Sequence, residues 1–301
     1  MLVNRSNLDA LFVNLKTEFT KGMETADSYW AKVAMKIPST GAFNDYAWLS
    51  KFPQMKRWIG SKNIETFKGY DYIVNNEDFE VTVEVSRNQI QDDQLGMVGT
   101  MARSAGESAK NLPDEIVAEM INGAFSLKCW DGKPFCANNH KLGGQTINNK
   151  GTMPLDVTSA AAAEASYGLA RQTMRSMKDE HGRPLAVNPN VLVVGTLLED
   201  KAKYLMTTDK FPNDEANIYK GSAEVVSVPW IESDAAWFLL DTSKVMKPFI
   251  YQEREKAKFV EMTRIDNERV FMNATFLYGA EARAAGAYGF YQLCYGSTGE
   301  G

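Results

Sequence analysis

The stretch from Arg87 to His140 places the tightest constraint on how this chain can fold. Leu95, Val98, Met101 and Ala102, then Ile116, Val117, Met120 and Ile121, follow helical spacing until the pattern ends in a compact turn, WDGKPF. Apolar residues recurring every three to four positions mark a helix with one face to bury. Gly96, Gly99, Ala102, Ala105, Gly106 and Ala109 recur along the same segment and permit close backbone packing. Gln91-Asp92-Asp93 places acids at a helix start, where the dipole favours them. Pro113 interrupts the pattern and Pro-Asp-Glu restarts it, so the spacing predicts a long helix kinked or broken near Asn111–Pro113. Just upstream the period is two: Phe79, Val81, Val83 and Val85 alternate with Glu80, Thr82 and Glu84, a half-buried strand. With the weaker strand NIETFKGYDYIV and a turn at Asn75–Asp78, this predicts a long two-stranded hairpin. An isolated hairpin is marginal in water, so it must pack on its own domain or lie across a neighbour.

The remaining segments divide by the same reasoning. Residues 1–27 read as an amphipathic helix through Leu8, Leu11, Phe12, Leu15 and Phe19, capped by Ser6 or Asn7, which must dock on something to bury its stripe. The run YWAKVAMKIPSTGAFNDYAWLSKFPQMKRWIG, with its prolines, glycines and tryptophans, reads as a winding arm pinned by aromatic anchors. Residues 128–155, rich in Asn, Gly, Lys and Pro, read as a surface excursion. Thr158 or Ser159 caps a helix that Gly182 closes. The buried strand VLVVGT, a short helix at LLEDKAKYLM and the strands AEVVSVPWI and AWFLLD complete an α/β unit. From FIYQERE onward the chain is strand-rich, and the sequence reads as free of internal repeats.

Composition restricts the chemistry. A net charge of −5 argues against a surface that grips DNA through its phosphates, and no apolar run is long enough to span a membrane. Three scattered cysteines make no disulfide framework and fit a reducing compartment, and the N-terminus lacks a secretory pattern. Nucleotide-binding, zinc-protease and serine-hydrolase motifs are absent, so no catalytic residue and no cofactor are expected. Cys129, Cys136 and His140, spaced C-x6-C-x3-H, leave one alternative: a zinc-dependent hydrolase or nuclease. That spacing is looser than zinc sites favour and lacks a fourth ligand, so no metal is expected. His181, just before Gly182, reads as a charge favourable at a helix C-terminus. Lys56, Arg57, Lys62 and Lys68 cluster beside Trp58, either as a contact for an acidic neighbouring subunit or as a solvated edge that discourages aggregation.

The segments YAWLSKFPQMKRWIG, YDYIVNNEDFEVTVEVSRNQIQDDQLG, NLPDEIVAEMINGAF, WDGKPFCANNH and AEARAAGAYGFYQLCYG, in that order, resemble the major head subunit family of Mu-like phages and prophages. The resemblance implies an α+β chain with the Hong Kong 97-type tailed-phage capsid fold, and a major capsid protein that self-assembles into an icosahedral head around double-stranded DNA. It implies an N-terminal arm over 1–57, an extended loop over 58–90, and a peripheral domain with a spine helix over 91–154. An axial domain over 155–245 and peripheral C-terminal strands over 246–301 would follow. The expected partners are further copies of the chain in pentamers and hexamers, together with scaffold, portal and decoration proteins, with no sequence-specific DNA binding and no membrane. Residues expected at contacts between subunits are Leu11, Leu15, Trp58, Lys62, Phe67, Lys68, Tyr70, Tyr72 and Phe79. The implied location is the virion, after assembly in the host cytoplasm.

Overall fold

A computed structural model of the chain describes residues 5–46, 49, 72–92, 96–262 and 268–301. In chain order the elements are α1 (Arg5–Thr25), α2 (Trp30–Val33), β1 (Ala34–Pro38), β2 (Phe43–Asp45), β3 (Ile73–Asn75), β4 (Glu77–Ser86), α3 (Arg87–Asp92) and α4 (Met97–Asn122). Then come β5 (His140–Leu142), β6 (Gln145–Ile147), β7 (Lys150–Gly151), α5 (Ala160–Ala163), α6 (Leu169–Arg175), β8 (Val191–Val194) and α7 (Glu199–Thr207). The chain closes with β9 (Glu224–Ser227), β10 (Trp237–Leu240), β11 (Phe249–Met262), α8 (Glu268–Asn273), β12 (Thr275–Tyr288) and β13 (Cys294–Ser297).

Two larger sheets organise these elements. One has the order β1-β11-β12-β4 and the other β7-β13-β10-β8-β9. Although most of the expected hairpin partner, NIETFKGYDYIV, lies outside the described residues, the alternating strand β4 forms as its pattern predicts. It pairs antiparallel with β12, setting Phe79, Val81, Val83 and Val85 opposite Ala282, Ala280, Tyr278 and Phe276. Two apolar stripes of period two thereby line up on one face, which α1 and α4 cover. The strand Ile73–Asn75 turns away and pairs with Phe43–Asp45 instead. The expected winding arm also holds regular structure: α2 runs into β1, which lies parallel to β11.

Helix α1 begins by Arg5, so Ser6 and Asn7 lie inside it rather than at its cap. Its stripe docks within the chain. Leu8 and Leu15 are buried with Val85, Ile90, Val98, Ala102, Phe276 and Tyr278, and Phe12 and Phe19 stand 5.5 and 5.2 Å from the Phe259 ring. The small residues of α4 permit that approach. A Cβ on Gly106 would lie 2.1 Å from the Phe19 carbonyl oxygen, and one on Gly22 would lie 2.1 Å from that of Arg103. Helix α4 is continuous through Pro113, not broken. Proline removes one helical bond and crowds the carbonyl four residues back, a cost that tertiary packing of Ile116, Val117 and Ile121 offsets here. Asp114 then faces outward from the helix, and its Oδ1 accepts the Tyr29 and Trp30 N–H groups at 2.9 and 2.7 Å, capping α2. Of the acidic pair expected at a helix start, Asp92 ends α3 and Asp93 lies outside the described residues, and Gly96 with φ +68° precedes α4. Met101, expected on the buried face, is 45% exposed.

The second sheet is buried at its centre, with Val191–Val194 and Trp237–Leu240 excluded from water along their whole length. Ser159 caps α5, its Oγ accepting the Ala162 N–H at 3.1 Å, and a π-helical turn at Glu164–Gly168 joins α5 to α6. That helix ends at Arg175, well before Gly182. The C-terminal strand β13 belongs to this sheet. It pairs with β10 and β7, because Leu293, Cys294 and Tyr295 find their apolar partners there.

Candidate functional site

The WDGKPF turn is not a surface excursion. Cys129, Trp130, Phe135, Cys136 and His140 are all buried. Asp131 organises the cluster: its Oδ1 accepts the Lys133 N–H at 3.0 Å and the Cys129 thiol at 3.2 Å, and its Oδ2 lies 2.6 Å from His140 Nδ1. The His140 ring stacks on Tyr291 at 3.8 Å, and Trp130 stacks on the same tyrosine at 5.4 Å. Burial alone would raise the Asp131 pKa, but the hydrogen bond and charge of His140, with the Lys133 N–H and the Cys129 thiol, hold it below the usual aspartate value. Burial pushes the Cys129 thiol well up, and the Asp131 charge adds to it. A thiol held protonated is neither a nucleophile nor a ready metal ligand.

Cys129, Asp131 and His140 bring their donor atoms within 4.8 Å of one another. Those atoms are already engaged with each other, at a His–Asp separation too short for two ligands of one tetrahedral ion. Cys136, the remaining member of the alternative zinc set, points elsewhere, with its Sγ 3.9 Å from that of Cys294 in the core. The trio of that alternative is therefore not assembled. The group that the sequence did not single out, Asp131, holds the turn together. His181 lies in a turn beyond α6, its side chain half exposed near Glu180.

That second turn repeats the first. Cys129 and Asp179 donate their N–H groups to Lys133 and Arg183, each at 2.8 Å. The bridges Lys128–Pro134 and Lys178–Pro184 flank Gly132 and Gly182, at φ +75° and +78°. A third copy after α7 joins Lys210 to Ala216 around Asp214, at φ 66°. One helix-then-turn device therefore occurs three times.

Of the residues expected at subunit contacts, Trp58, Lys62, Phe67, Lys68 and Tyr70 lie outside the described residues. Tyr72 is partly buried; its hydroxyl accepts the Tyr288 N–H at 3.0 Å, and burial raises its pKa to about 12. Phe79 and Leu11 are half buried on the helix-covered side of the first sheet. Leu15 is 1% exposed within its own chain and offers no surface to a neighbour. Beside Phe79 runs a groove of about 190 Å³, lined by Val81, Ala109, Leu112, Ala280 and Ala282. Burial, then the charges of Glu77 and Glu115, raise the Glu119 pKa. None of these three carboxylates holds an ion pair among the described residues. No helix among the described residues is long and apolar enough to cross a membrane.

Two unlike sheets joined by a 26-residue helix, with a second helix laid along it, define a class: the tailed-phage capsid subunit of the Hong Kong 97 type. The procapsid of bacteriophage JBD30 provides a solved example, 29% identical with a TM-score of 0.60, matched over 98% of this chain and 76% of that one. The major capsid protein of Escherichia phage Mu is 29% identical over all of this chain and 76% of its own length. The FluMu major head subunit of Haemophilus influenzae is 27% identical over 97% of this chain and 73% of its own. The model of the Mu-like prophage major head subunit gpT family matches residues 8–159, 155–231 and 232–300, and the chain belongs to that family. It is a structural capsid protein of the virion, which assembles with copies of itself, and not an enzyme.

Proposed function

We propose that the chain builds an icosahedral head around double-stranded DNA by laying residues 58–90 as an extended loop over an adjacent subunit. The observation that supports this is a match of charge and shape. Lys56, Arg57, Lys62 and Lys68 with Trp58, Phe67 and Tyr70 form a basic, aromatic segment. The same chain carries a groove in which Val81, Ala109, Leu112, Ala280 and Ala282 stand among the carboxylates Glu80, Glu115 and Glu281. Residues 1–57 then act as an arm anchored on the subunit's own body by α1 and β1, 91–154 and 246–301 as a peripheral domain that lends β13 to the second sheet, and 155–245 as an axial domain that meets its copies in pentamers and hexamers. Phe79, Leu11 and Tyr72 border that contact. Many copies multiply weak contacts, so each interface can be modest and the shell still closes. Scaffold, portal and decoration proteins complete the partner set, and the net negative chain encloses DNA without reading its sequence. Negative-stain microscopy of wild-type chain and of a Lys56→Glu/Lys62→Glu/Lys68→Glu variant tests the reading. Shells or capsomers from the wild type, and their loss in the variant, are expected; a wild type that stays monomeric under every condition refutes it.

A further inference from the structure

The short pair β2–β3 stands on either side of residues 47–71, and its inner face, with Val74 and the flanking Tyr46 and Tyr72, packs on the main core. Phe43 and Ile73 on its outer face are 50% and 53% exposed, and a three-residue pair is marginal by itself. The Tyr46 N–H bonds the Tyr72 carbonyl at 2.9 Å and closes the base of the segment. Beneath it lies a fully buried amide, Gln252 of β11. Its Oε1 accepts the Tyr46 hydroxyl at 2.7 Å, and its Nε2 donates to the Val74 carbonyl at 3.2 Å and to Asn76 Oδ1 at 2.7 Å. Asn76 in turn donates through Nδ2 to Ser39 Oγ and to the carbonyls of Gly41 and Ala42, at 2.9, 2.9 and 3.2 Å. One side chain thus reaches the chain on both sides of residues 47–71. It bridges the short pair to a sheet that does not otherwise include it.

Burying an amide contributes little net stability even when every bond is made, whereas a satisfied polar network specifies one geometry. We propose that Gln252, through Tyr46 and Asn76, is a positioning residue for shell assembly: it fixes the geometry of β2 and β3, the described strands on either side of residues 47–71. The proposal rests on the reading that this segment contacts a neighbour. Its mark is a separation of folding from assembly.

The test compares Gln252→Leu and Tyr46→Phe with wild type under conditions where the wild-type chain forms shells. Gln252→Leu is expected to keep a cooperatively folded subunit while its yield of regular shells falls at least about tenfold, because each shell multiplies a small misalignment over every copy. Amide exchange should accelerate at Tyr46 and Asn76 and stay unchanged across Val191–Val194. Tyr46→Phe, which removes one hydroxyl, should lie between the two. Wild-type shell yield from Gln252→Leu overturns the proposal. If Gln252→Leu fails to fold, the residue is a core residue, and wild-type shells from Tyr46→Phe then overturn the proposal as well. A wild type that forms no shells sinks the prior reading of the segment instead, so the two failures are distinguishable.

Discussion

The two larger sheets are finished to different degrees. In the β7-β13-β10-β8-β9 sheet the central strands are short and no residue of β8 or β10 reaches water. In the β1-β11-β12-β4 sheet, β11 and β12 run for 14 residues each, and β11 passes from the buried Phe249–Gln252 to the exposed Glu261 and Met262. Its edge strand β4 shows Glu77, Asp78, Glu80 and Glu84 to solvent, and charge on an edge discourages stray pairing. Apolar burial holds both: Phe249–Tyr251 and Tyr288 share one core with Val191–Val194 and Trp237–Leu240, and α1 and α4 cover Val85, Phe276 and Tyr278. The difference lies at the margins, where only the β1-β11-β12-β4 sheet carries a long strand out to exposed residues and an acidic edge.

The largest effect should come from breaking the closed sheet. Trp237 is fully buried and its Nε1 donates to the Met153 carbonyl at 3.0 Å. Trp237→Ala removes that bond and leaves a cavity, with an expected loss of about 3–5 kcal/mol in urea unfolding of the unassembled subunit. An unchanged midpoint would show that this sheet does not carry the stability. Next comes the seam of the open half. Gly106→Leu forces a side chain into the Phe19 backbone, and overpacking of this kind costs about 1–3 kcal/mol. Limited proteolysis should then cut within residues 5–25 while amide protection at Val191–Val194 persists; equal loss in both places would mean the halves are one cooperative unit.

The Asp131 cluster supplies a pH handle on the seam between them. Its folded pKa lies below the ordinary value of 3.8. The stabilisation it gives is therefore fully present above about pH 4 and is lost as pH falls through the lower folded value. Asp131→Asn should cost about 1–3 kcal/mol near neutral pH by leaving buried donors unpaired, and should flatten that acid limb. Denaturant midpoints measured from pH 2 to 7 would check both; a wild-type slope retained in the variant would assign the acid loss to other carboxylates.

How far the sequence foretold this depends on the range of the interaction. The stripes of α1 and β4 were legible because they are local, and the small residues of α4 announced a close crossing that Gly106 makes. The partner of β4 was not legible: Phe276–Ala282 lies far along the chain, while the turn-rich Asn75–Asp78 argued for a nearer partner. Cys129 and His140 do meet, as their spacing hinted, but Asp131 reads in sequence as an ordinary turn residue. Nothing local reveals that its carboxylate is buried between them. Gln252 was equally silent, one polar residue in an alternating strand.

The three turns allow the finest test, because they share a backbone and differ in sequence. The offset pair Lys128/Gly132-Lys133-Pro134 and Lys178/Gly182-Arg183-Pro184 was visible in principle, while the third copy, with Asp214 and Ala216, was not. Gly132 and Gly182 sit in the left-handed region, which costs an L-residue about 1–2 kcal/mol. A Cβ at Gly132 would meet nothing within 4 Å, so Gly132→Ala isolates that strain. It should destabilise by about 1 kcal/mol, and Gly132→Asn by less, since Asn tolerates this conformation better than Ala does. At the third turn the sign reverses: Asp214 already bears the strain at φ 66°, so Asp214→Gly relieves it. Part of that gain is offset by the lost Lys210–Asp214 ion pair, which is exposed and worth less than about 1 kcal/mol. Unfolding midpoints of the three variants, taken together, should order Gly132→Ala below Gly132→Asn below Asp214→Gly. An Asp214→Gly subunit less stable than Gly132→Ala would mean the ion pair, and not the backbone, sets the third turn apart.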